Sequence, residues 1–97
     1  LDMATRGAAD AMGRPELGRL VPGGPADCIA LDLERPNMQP LHHPVSQLAY
    51  AATGLEVRLT VCAGRVLYED GEYAAFDREE LLVEAADLAA WVRSHRP

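Results

Sequence analysis

The run VRLTVCAGRVLYED, Val57 to Asp70, decides how the rest of the chain is read. Val57, Leu59 and Val61 alternate with Arg58, Thr60 and Cys62, the two-residue period of a strand with one face turned inward. Arg65 to Asp70 gives a second strand. Ala63-Gly64 between them is a tight turn in which Gly64 takes positive φ, so the two strands form an antiparallel hairpin. Asp70-Gly71 is a second turn, and Tyr73 to Phe76 is a short extended stretch.

Upstream, Met3 to Met12 reads as an alanine-rich helix with Asp2 as N-cap, Gly13 as its stop and Pro15 beyond. Met3, Ala8, Ala11 and Met12 share one face. Gly7 costs this helix about 1 kcal/mol relative to alanine and implies a close neighbour. Leu17 to Leu20 is a short strand-like step before the turn Pro22-Gly23-Gly24-Pro25. Cys28 to Leu33 reads as a strand ended by Pro36, and residues 34 to 43 read as a loop. Pro44 then opens a helix, PVSQLAYAAT, with Gly54 as its stop.

Downstream, Asp77-Arg78-Glu79-Glu80 is a capping box with Asp77 at the N-cap. Leu81, Ala85, Leu88 and Val92 form an apolar stripe, flanked by Leu82 and Ala89. Acidic residues load the first half of this helix, and Arg93, His95 and Arg96 load its end, matching the macrodipole. The order is helix, two strands, helix, two strands, helix. That is α+β, with short, mainly antiparallel strands and flanking helices, and with too few strands for a closed sandwich. Several strand edges lack partners.

Ninety-seven residues make one small domain. Aromatics are 5% of the chain and much of the 48% apolar content is alanine, so the core is thin and stability marginal. The net charge of −6 argues against nucleic acid and against an anionic membrane surface. No apolar run approaches a membrane span. Cys28 and Cys62 lack a framework spacing, which suggests reduced, buried thiols and a cytoplasmic protein. The chain opens Leu1-Asp2-Met3, which fits a piece of something longer.

The histidines invite a metal reading that their spacing does not support. His42 and His43 are adjacent on a loop, and His95 lies near the C-terminus. No H-x-H, H-E-x-x-H or C-x-x-C occurs. Ser46 lies near both loop histidines without a nucleophile elbow. His43, just before Pro44, fits an N-cap position. No catalytic, cofactor-binding or metal-ligating residue is assigned within this chain, and Trp91 reads as packing.

Three ordered segments carry a resemblance. MATRGAADAMGRPELGRLVPGGPADCIALDL (residues 3 to 33) is similar to the pattern M-A-T-x-G-G/A-A followed by P-G-x-x-A-D and an apolar run. LHHPVSQLAYAATGLEV (41 to 57) is similar to L-H-N/D-P-V-S-x-L-V-Y. VRLTVCAGRVLYEDGEY (57 to 73) is similar to V-x-x-V-x-V-x-G-R/K with a later D-G. In that order they resemble the C-terminal part of the amidohydrolase superfamily. Gln39-Pro40-Leu41-His42 with Pro44-Val45-Ser46 is most similar to its deaminase and chlorohydrolase branch, which includes 5-methylthioadenosine/S-adenosylhomocysteine deaminase. The chain departs from the pattern at Gly24-Pro25, His43, Cys28 and Cys62.

The resemblance implies a metal-dependent (β/α)8-barrel hydrolase with a small β-sandwich built from both chain ends. Residues 1–13 would correspond to the last barrel helix, and 14–97 to the C-terminal part of the composite sandwich with its packing helices. The family's metal ligands, with zinc or another divalent ion, would lie outside this chain, which is expected to be inactive alone. The implied partners are the missing N-terminal barrel and sandwich strands, a small-molecule substrate, and an open question of homo-oligomerisation. The implied reaction is hydrolysis of a non-peptide C–N bond, deaminating an adenosine-type thioether nucleoside. The alternatives are a guanine-type or triazine deaminase or chlorohydrolase, and a free-standing, non-catalytic α+β interaction module.

Overall fold

The computed structural model describes residues 1–95. Its centre is the hairpin expected from the sequence. Strand β2 (Val57–Cys62) turns through Ala63-Gly64 into β3 (Arg65–Glu69), with Val61 opposite Val66 and Cys62 opposite Arg65. Both turn residues have positive φ, 49° at Ala63 and 76° at Gly64, as a type I′ turn requires. Asp70-Gly71 repeats that geometry and leads into the two-residue strand β4 (Glu72–Tyr73). Strand β1 (Cys28–Leu31) pairs antiparallel with the other side of β2, giving a four-stranded sheet in the order β1-β2-β3-β4. Ile29, Thr60, Tyr68 and Tyr73 form one row across it.

Three helices accompany the sheet without covering it: α1 (Arg6–Ala11), α2 (Pro44–Tyr50) and α3 (Arg78–Ser94). A 3-10 turn at Asp2–Ala4 precedes α1, and another, Pro36–Met38, interrupts the loop before α2. The order among the described residues is therefore helix, strand, helix, three strands, helix.

Several expectations are corrected. Leu17–Leu20 is not a strand. Gly18 has φ 71°, and a Cβ there would lie 2.5 Å from the Thr5 carbonyl, so the backbone is turning against the start of α1. The close approach that Gly7 was expected to mark is tighter at Gly18, where only glycine fits. Asp2 does not cap α1; its carboxylate accepts from the Arg6 guanidinium one turn on, at 2.9 Å. The extended stretch after β3 is only the two residues of β4, because the chain bends at Ala74 before α3.

The apolar faces read from the sequence are mostly uncovered. Met3 is 87% exposed, and of α1 only Ala9 is buried. Cys62 is exposed and Cys28 half-buried, so neither is the buried thiol expected, although both are free. The reason is that little lies over either sheet face. The Cα radius of gyration is 17.9 Å, where a closed globule of this length has about 13 Å. Among the described residues, Met38 and Glu56 are the two fully enclosed side chains. No described helix is long and apolar enough to cross a membrane.

Candidate functional site: a buried carboxylate beside the α2 cap

The residues weighed for chemistry fall apart in space or into structural roles. His43 is the N-cap of α2: its Nδ1 accepts from the Ser46 backbone N–H at 3.3 Å, and the Ser46 hydroxyl lies at the same distance. The shared ring nitrogen makes this a cap and not a nucleophile–base pair, since among the described residues no third group orients the imidazole. His42 is exposed on the preceding loop. His95 closes the far end of α3, with its ring stacked on Trp91 at 4.5 Å. Arg96 lies outside the described residues. Trp91 therefore packs against its own helix end, and it remains 57% exposed.

The group that sequence reading missed is Glu56. It stands at the mouth of β2, where the alternating pattern gives no sign of burial, yet it is 0% exposed. Its carboxylate accepts from the Asn37 side-chain amide, from the Thr53 and Gly54 backbone N–H groups at 3.1 and 2.9 Å, and from the Thr53 hydroxyl at 3.1 Å. The Asn37 hydrogen bond first, and the backbone donors after it, hold the Glu56 pKa at about 2 against the opposing effect of burial. Its backbone carbonyl also accepts from Asp32 N at 2.7 Å, just past β1.

Asn37 extends this hub. Its amide also donates to the Ala51 carbonyl at the end of α2, while its own carbonyl accepts from Gln47. One carboxylate thus ties the 3-10 turn, the α2 terminus and the start of β2 into one unit. The only signal for it in the sequence is the run Thr53-Gly54 two residues before an acid, which also reads as an ordinary loop.

A second anchor holds the hairpin tip. Asp27 Oδ1 accepts from Ala63 N at 2.6 Å, and Gly64 N donates to Ala26 O at 3.1 Å. Arg58 and Asp70 pair in two parallel bonds, 2.7 and 3.1 Å, and the guanidinium holds the Asp70 carboxyl below its ordinary range.

These arrangements build a scaffold. Among the described residues no three His, Cys, Asp or Glu side chains converge in a way that could hold a metal ion. The donors of the Glu56 hub are all N–H and O–H groups facing one carboxylate, which suits a charge clamp and leaves no lone pairs for a cation.

The alignment of this scaffold with known proteins is extensive. The Amidohydrolase family model matches residues 1–68, and the chain belongs to that family. Within it, the chain is 54% identical over 92 residues to the 5-methylthioadenosine/S-adenosylhomocysteine deaminase of Nitratidesulfovibrio vulgaris (strain DSM 19637 / Miyazaki F). That match takes in 95% of this chain and 21% of the relative. It is 45% identical to the deaminase of the same description from Halobacterium salinarum, over 93% of this chain and 22% of that one. Among solved structures, it is similar to an adenosine deaminase from Xanthomonas campestris with bound zinc, with a TM-score of 0.84 and 34% identity. That superposition covers 94% of this chain and 21% of the other. Atrazine chlorohydrolase TrzN from Arthrobacter aurescens TC1, complexed with zinc, gives a TM-score of 0.76 at 32% identity, over 89% and 19% of the two chains. The chain thus spans about a fifth of the length of the curated relatives it matches.

Proposed function

We propose that this chain is the C-terminal structural region of a metal-dependent hydrolase that deaminates an adenosine-type thioether nucleoside. The observation that carries this reading is the 54% identity, over nearly the whole chain, to a 5-methylthioadenosine/S-adenosylhomocysteine deaminase. In the complete protein the exocyclic C–N bond of the purine is broken by water and ammonia leaves. Residues 1–13 form the last helix of a (β/α)8 barrel, and 14–97 form the C-terminal part of a composite β-sandwich. The barrel and the remaining sandwich strands come from the rest of the polypeptide, for which the free edge of β1 and the uncovered sheet faces leave room.

Zinc, or another divalent ion, belongs to the complete protein. The described residues of this chain do not fit it, since no three of their His, Cys, Asp or Glu side chains gather where a metal ion could be held. Two free cysteines support a reducing, cytoplasmic setting, and the acidic charge supports a protein that does not bind nucleic acid.

The test is ammonia release by the complete protein. We expect turnover of 5-methylthioadenosine and S-adenosylhomocysteine well above that of guanine or a chlorotriazine. A preference for the latter two would favour the second reading, a guanine-type or triazine enzyme, for which the likeness to atrazine chlorohydrolase speaks. A coding sequence without a barrel-length upstream extension would favour a free-standing interaction module.

A further inference from the structure

We draw no further inference here: the strongest candidate, the apolar groove on the sheet face lined by Val57, Leu67, Tyr68, Tyr73 and Phe76, carries nothing, because nothing in the structure shows what covers it.

Discussion

Asn37 donates its side-chain amide to Glu56 across 19 residues of sequence, and that bond organises the most enclosed part of the molecule. A buried carboxylate is costly unless its oxygens are fully met. Here donors from Asn37, Thr53 and Gly54 meet them, so the charge is held and the three segments are held with it.

Replacing Glu56 should therefore destabilise more than any helix-cap change in the chain. Glu56→Ala leaves the Thr53 and Gly54 backbone N–H groups and the Thr53 hydroxyl without this acceptor, and leaves the Asn37 amide only its bond to Ala51 O. Glu56→Gln keeps one acceptor oxygen but turns an amide toward Asn37, and is expected to fall between Glu56→Ala and the parent. Thermal melting monitored by circular dichroism ranks the three.

The same carboxylate predicts a pH dependence. Its folded pKa of about 2 lies below the ordinary value of 4.5. The unfolded chain therefore takes up the proton first as pH falls. The stabilisation from Glu56 is complete above about pH 4.5 and is lost progressively down to about pH 2. Urea unfolding at pH 6, 4, 3 and 2 should show this decline, and Glu56→Gln should flatten it. The Arg58–Asp70 pair adds a loss of the same sign, because the Asp70 pKa is also lowered.

The hairpin tip offers a stabilising change. Ala63 holds φ 49°, a left-handed conformation that costs an L-residue about 1–2 kcal/mol. Asp70-Gly71 meets the same geometry with a favoured pair, and Ala63-Gly64 does not. Ala63→Asn should be stabilising, since Asn-Gly is the favoured pair for this turn, and Gly64→Ala should lose about 1–2 kcal/mol. Denaturant midpoints measure both.

The two helix caps differ in quality. Asp77 accepts from Glu79 N and Glu80 N at 2.8 and 3.0 Å, and α3 has little packing to replace that support. Asp77→Ala should cost about 1 kcal/mol and visibly lower the far-UV helix signal of the chain alone. His43 makes a longer bond to Ser46 N, so His43→Asn should be neutral or stabilising by a few tenths of a kcal/mol. A clear fall in melting temperature would reveal another partner for His43.

The features legible in the sequence are those written in adjacent residues. Gly64 had to take positive φ, Asp77 and His43 had to cap their helices, and Pro44 had to open α2, because each depends on a backbone group no more than three residues away. The pairing of β2 with β3 followed from the tight turn at Ala63-Gly64, whereas the place of β1 beside β2, reached across α2, did not. Three ordered motifs were enough to place the chain in its family.

What the tertiary structure alone decided depends on residues far apart in the chain. Glu56 looks like a solvent-facing acid until Asn37, Thr53 and Gly54 converge on it. Leu17–Leu20 looks like a strand until Gly18 is pressed against the Thr5 carbonyl, which no side chain would permit. Apolar periodicity marked the faces that avoid water, but it could not say whether this chain covers them. For α1, α3 and the sheet it does not, because the hydrophobic effect rewards burial against any surface, and the sequence pattern does not name which one.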